Sequence, residues 1–352
     1  MRVAGIEAQP GQRAFGYLET VRSRSGLRPD IPVHLAAGVE PGPTLLVQAA
    51  IHGTEIIGTA VILRFLQHLD PRRLRGNVIA VPVLNRVGFE LGERVSRLDG
   101  LDLHRLFPGN PRGSASEQVA HAYFHEVVTK AQVLLDFHCG VRGYERYVVL
   151  RASRAQRAQR AQADPPARTP LEEKRRRLGM AFGLDTAAFF PPETFGTNAA
   201  EEAVEAAGVV QVMTEFGGGP GWFHNGEQNL RDAERGIWNV LKAMDMVEGE
   251  LESDGPLCTV YNACVVLWKP PVDGMFIRRR GFGERLRAGE VYGTIQDPYT
   301  GETLWEVCTP QEATVLPSGL EWPTVGATTV GILGHVHEVV DRRTSDLRVA
   351  FP

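Results

Sequence analysis

The chain has 352 residues, 43% of them hydrophobic, which is enough for a sizeable core and suggests about two domains. Lys+Arg 38 against Asp+Glu 42 gives a net charge of -4 with no concentrated basic face, so a nucleic-acid partner is not expected. Four scattered cysteines (Cys139, Cys258, Cys264, Cys308) form no CxxC pair, and no transmembrane-length or signal-like segment occurs, which points to a cytoplasmic protein without a membrane partner.

Residues 1–44 read as strands and turns, with a strand over Ile31–Ala37 and Gly42-Pro43 as punctuation. The run Leu45–Ala50 reads as a buried parallel strand that stops at His52-Gly53-Thr54-Glu55, where a helix over 54–69 begins. A strand over 77–84 follows, then a polar loop from Asn85 to Gly109. A helix over 116–131 leads into a strand over 132–137, and a helix over 171–182 into a short strand near 187–190. A helix over 198–206, a strand over 208–215 and a long helix over 227–246 complete the pattern. Such alternation predicts a mainly parallel mixed sheet flanked by helices, an α/β domain over 1–247. The Arg/Ala/Gln tract at about 151–170 has no anchoring residues and reads as a surface insertion. After the acidic linker 248–256, short segments split by Gly and Pro predict a small C-terminal all-β domain over 257–352.

Polar groups cluster where these apolar strands end, the place where open α/β sheets collect ligand-binding groups. His52 and Glu55 are spaced to face one side of a helix start, and an imidazole with a carboxylate makes two-thirds of a hydrolytic His₂Glu zinc site. In Asp136-Phe137-His138 a buried strand ends in a histidine, the natural third ligand, with Asp136 on the same face to orient its ring. A hydrolytic zinc site also needs a base near its water, and Glu215, closing the run before Gly217-Gly218-Gly219, is the candidate. The glycines match no phosphate-loop pattern. The loop that opens at Asn85 carries Arg94, Arg97 and Arg105, whose guanidinium groups suit carboxylate capture or oxyanion stabilisation. Cys139 points away from the metal, His121/His125 read as a polar helix face, His335/His337 as structural, and His224 as a pocket-rim residue.

HGTE, GER…LDGLDLHRLFPG, DFHCG and TEFGGG, in this order, resemble the succinylglutamate desuccinylase/aspartoacylase family of the zinc carboxypeptidase-like superfamily. The loop is most similar to the N-acetyl-diaminobutyrate deacetylase branch. The resemblance spans about 45–220, and the C-terminal β-domain is similar to the one those deacylases carry. It implies one zinc ion per subunit on His52, Glu55 and His138, with Glu215 as general acid/base. It further implies Asp102 as partner of the first zinc histidine, Arg94 as the carbonyl-polarising arginine (with Arg97 a rival on spacing), and Arg105 as holder of a substrate carboxylate. Where the family has Asp-Leu-Asn-Arg this chain has Asp102-Leu103-His104-Arg105, so His104, with Asn85, stands among the substrate-binding positions while the amine and acyl group stay open. The expected function is a zinc-dependent amidohydrolase releasing an acetyl- or succinyl-type group from a small N-acyl substrate. A carboxypeptidase-like zinc peptidase is the alternative, and a homo-oligomer is compatible with either.

Overall fold

The computed structural model describes residues 1–21, 26, 28–139, 145–151, 168–190, 199–217, 226–265, 271–316, 323–324 and 332–351. The elements run β1 (Arg2–Val3), β2 (Ile6–Glu7), β3 (Arg13–Leu18), β4 (Ile31–Ala37), β5 (Glu40–Ala49), α1 (Ile57–His68), β6 (Arg75–Val81), α2 (Arg86–Leu91), α3 (Ala115–Glu126) and β7 (Val133–His138). Then come β8 (Glu145–Arg151), α4 (Pro170–Ala181), β9 (Thr186–Phe190), α5 (Ala199–Ala206), β10 (Val210–Gly217), α6 (Gly226–Ala243) and β11 (Leu257–Val265). The remaining strands are β12 (Gly274–Arg278), β13 (Arg285–Leu286), β14 (Val291–Gln296), β15 (Thr303–Cys308), β16 (Ala313–Val315), β17 (Pro323–Thr324) and β18 (Ile332–Asp341).

The central strands are apolar on both faces because each face is covered, and the period-two alternation of a strand assigns each residue to one cover or the other. Leu45, Val47 and Ala49 of β5, Val133, Leu135 and Phe137 of β7, and Val210, Val212 and Phe216 of β10 pack under α1, α4 and α6. Leu46, Ile79 and Leu134 point the other way, toward α3 and α5. On that second face the apolar series gives way to polar groups near the strand ends, and the candidate site grows there.

The main sheet has 12 strands in the order β13-β16-β18-β11-β9-β8-β10-β7-β5-β6-β4-β3. β6, β5, β7 and β10 are parallel neighbours, as the βα alternation predicts. β8 runs antiparallel to β10, and β4 and β3 close the far edge antiparallel. The strands after residue 257 build the small 4-stranded sheet β15-β14-β12-β17 around Phe276, Ile295 and Val307. They also lengthen the main sheet, because β11 pairs parallel with β9 and antiparallel with β18. A buried cluster of Tyr147, Val149 and Met213 with Ala263 and Leu316 ties this C-terminal region to the polar face.

Two local features depart from the sequence reading. Helix α1 starts at Ile57, so His52 and Glu55 lie in the turn ahead of it rather than on its first turn. Inside the polar loop a short helix forms, because the Asn85 side chain accepts from the Gly88 amide and Gly92 ends the turn left-handed at φ 66. Most of the 151–170 tract and His224 lie outside the described residues. Among the described residues no helix is long and apolar enough to cross a membrane.

Candidate metal centre

Strand β5 ends at Ala49, and Ala50 then adopts a left-handed backbone (φ 52), which turns the chain sharply over the sheet edge. The amides of Leu84 and Asn85 donate to the carbonyls of Ala49 and Ala50 at 3.0 and 2.8 Å, pinning this turn to the chain that leaves β6. His52 and Glu55 are thereby presented above β7, whose last residue is His138.

The Glu55 carboxylate stands between two imidazoles. Its Oε1 lies 2.8 Å from His52 Nδ1 and its Oε2 3.0 Å from His138 Nδ1. The Cys139 amide donates to Oε2 at 3.2 Å, while Cys139 itself is buried with the apolar cluster on the opposite side of the sheet. Burial alone would raise the Glu55 carboxyl, but His52 and His138 hold it well below the usual carboxylate range.

The far nitrogen of each ring also has a carboxylate. His52 Nε2 lies 3.1 Å from Asp102 Oδ1, and His138 Nε2 lies 3.2 Å from Asp136 Oδ2. Asp136 is further held by Gln211, whose amide donates at 3.0 Å, and by Gln48. Tyr123 donates to Gln48 Oε1 at 2.5 Å. An Nε2–H donated to a carboxylate leaves Nδ1 with its lone pair outward, the tautomer a metal ion requires. Two such nitrogens and a carboxylate oxygen, all buried and within 4.8 Å of one another, therefore fit a divalent cation of the zinc type.

Glu215 is the register partner of His138 in the parallel β10–β7 pair and shares its face. Burial pushes its carboxyl up to about 8; His138 opposes this, while the carboxylates of Glu55 and Glu145 add to it. Arg94 reaches the cluster with half its side chain exposed. Its Nη1 donates to Glu55 Oε1 at 3.1 Å, and its Nη2 lies 2.9 Å from His52 Nε2. Arg97 turns outward and pairs with Glu93, with Nε donating at 2.9 Å. Arg105 Nε lies 3.9 Å from Asp102 Oδ2. Asn85 is buried; its oxygen caps α2 and its amide donates to the Arg94 carbonyl at 3.4 Å, so it shapes the loop under Arg94. His104 is also buried, packed against the rings of both His52 and His138.

Several groups that hold this arrangement escape sequence reasoning. Gln48 and Gln211 each interrupt a local apolar run, and that interruption was their only signal. Glu201 on α5 faces His104 at 3.3 Å and had no local signal at all.

The loop bearing Arg94 is seated against Gly53, whose amide donates to the Arg94 carbonyl at 3.2 Å. A Cβ at Gly53 would overlap the backbone of Gly88, Phe89 and Glu93, none of which can rotate away. Gly53→Ala is expected to cost about 1–3 kcal/mol of stability as overpacking does. Denaturant melts check this, and wild-type stability would mean the loop is not seated this way.

Residues 41–244 match the model of the succinylglutamate desuccinylase/aspartoacylase catalytic domain. The chain is 33% identical over 226 residues to the N-alpha-acetyl-L-2,4-diaminobutyric acid deacetylase of Halomonas elongata, a match that covers 63% of this chain and 60% of that protein. A succinylglutamate desuccinylase/aspartoacylase structure from Rhodobacter sphaeroides aligns with TM-score 0.78 at 25% identity, over 94% of this chain and 97% of that one. The product-bound ectoine utilization protein EutE (DoeB) from Ruegeria pomeroyi has the same fold, with TM-score 0.78 at 21% identity over 94% and 98% of the two chains. The matched span covers more than half of the sequence and contains His52, Glu55, His138 and Glu215, and on that basis the chain belongs to the succinylglutamate desuccinylase/aspartoacylase family.

Proposed function

We propose that this protein is a zinc-dependent amide hydrolase that removes an acetyl- or succinyl-type group from an N-acylated amino acid or related small amine. The observation that carries the reading is the convergence of His52 Nδ1, His138 Nδ1 and the Glu55 carboxylate beside Glu215, on one face of the sheet. A zinc ion on these three ligands would supply Lewis acidity, lowering the pKa of water toward about 7 and polarising the acyl carbonyl. Glu215 takes the proton as water attacks the acyl carbon, then returns it to the departing nitrogen. Arg94, its guanidinium already beside the ligand shell, faces the oxygen on which negative charge develops. Arg105 captures a substrate carboxylate. Asp102 and Asp136 keep the two imidazoles in the ligating tautomer.

The acetyl option is supported by the resemblance to the diaminobutyric acid deacetylase, and the small-substrate option by the C-terminal region. Ala263 and Leu316 extend the apolar wall that starts at Tyr147 and Met213, beside Glu215 on the same face, which favours a confined substrate over a polypeptide. Metal analysis with a panel of N-acetyl, N-succinyl and N-formyl amino acids, N-acetyl-diaminobutyrate included, tests the assignment. One zinc per chain is expected, with one panel member hydrolysed at kcat/KM of about 10⁴ M⁻¹s⁻¹ or more. Faster cleavage of dipeptides than of every N-acyl amino acid would overturn it in favour of a peptidase.

A further inference from the structure

His104 occupies a different place from the ligands it accompanies. Its ring meets His52 edge-on with centroids 5.7 Å apart and lies 5.2 Å from the His138 ring. A donor atom of His104 lies within 4.8 Å of those of Asp136 and His138, on the side where both Nε2 atoms point at Asp102 and Asp136, away from Glu55. The residue is 6% exposed. It therefore fills the space behind the ligand shell.

What holds His104 comes from a distant part of the sequence. Helix α5 packs on the Leu103–Arg105 turn, with Ala200 and Val204 in the buried cluster that also holds Leu103. From that helix Glu201 aims Oε2 at His104 Nε2, 3.3 Å away. Both atoms are fully buried and neither has a hydrogen-bond partner of its own among the described residues. A buried polar atom left unpaired costs about 1–3 kcal/mol, so each atom depends on the other. The second Glu201 oxygen accepts from Arg151 Nη1 at 2.7 Å, which fixes the carboxylate. Burial opposes ionisation of Glu201, yet His104 and Arg151 hold its carboxyl far below the usual range.

We propose that Glu201, backed by Arg151, is a positioning residue that clamps the His104 ring against the two ligand imidazoles and so strengthens zinc binding. This rests on the zinc reading above. The partners of metal-ligating histidines are worth about 10–100-fold in metal affinity, and a clamp one layer further out should act at the lower end.

The test is a set of zinc dissociation constants, measured by competition with a chelating dye, for wild type, Glu201→Gln, His104→Asn and the double variant. Glu201→Gln and His104→Asn should each weaken zinc about tenfold. The double variant should be little weaker than either single, because both changes break one pair. Thermal melts of the zinc-free proteins identify a variant that does not fold, and if Glu201→Gln fails, His104→Asn carries the comparison. Zinc constants within twofold of wild type would overturn the proposal, as would a rise in KM at unchanged zinc affinity, which would put His104 in contact with substrate. Wild type that binds no zinc would remove the metal reading and this inference together, whereas wild-type binding with unaffected variants removes only the inference.

Discussion

Glu215→Gln is expected to retain zinc and lose about 10²–10⁴-fold in kcat, the range usual for a general acid–base group. The glutamine keeps the shape and the strand register with His138 but cannot accept the water proton. Without a cation, burial pushes the Glu215 carboxyl up to about 8. A divalent ion on the adjacent ligands adds an attractive charge and moves it back toward the ionised form a base requires. The same shift predicts a stability signature. Between the unfolded carboxyl pKa of about 4.5 and about 8 the folded zinc-free chain binds the Glu215 proton more tightly than the unfolded chain. Stability therefore falls as pH rises through that window, and Glu215→Gln should make the zinc-free protein more heat-stable than wild type at its upper end. Unchanged turnover on the preferred substrate would assign the base to another residue.

His138→Gln is expected to abolish stoichiometric zinc and bring turnover to the level of the chelated wild type. An amide can still meet Asp136, so the variant asks about ligation more than about folding. Loss of a direct ligand should exceed the 10–100-fold that loss of a ligand's partner costs in metal affinity. The exchange should also destabilise the zinc-free chain, because His138 answers the two buried carboxylates of Asp136 and Glu55 at 3.2 and 3.0 Å. Breaking such buried pairs costs about 3–5 kcal/mol. Far-UV circular dichroism with metal analysis separates the two effects. A folded His138→Gln protein with full zinc and full activity would exclude His138 from the ligand set.

The repeating strand and helix pattern was legible in the sequence because burial on two faces writes itself into local apolar runs. Each donor of the cluster was legible in the same way, as a polar side chain closing such a run: His52 and Glu55 after Leu45–Ala50, His138 after Val133–Phe137. Alternation along one strand also placed Asp136 beside His138, since residues two apart share a face.

Other features depend on which chain segments become neighbours, and no local pattern carries that information. The left-handed turn at Ala50, which brings His52 and Glu55 over β7 ahead of the helix, is held by amides arriving from the end of β6. The family resemblance pointed to Arg94 with Arg97 as its rival; packing of the loop on Gly53 brings Arg94 to the cluster and leaves Arg97 outside with Glu93. The continuation of the main sheet into the C-terminal strands rests on the β9–β11 pairing. Glu201 meets His104 only because α5 lies across the Leu103–Arg105 turn. The sequence by itself determined the residues of the cluster and the faces they occupy, through period and burial. The tertiary structure alone decided which of them meet, because convergence is set by strand order and by the side chains of elements far apart in the chain.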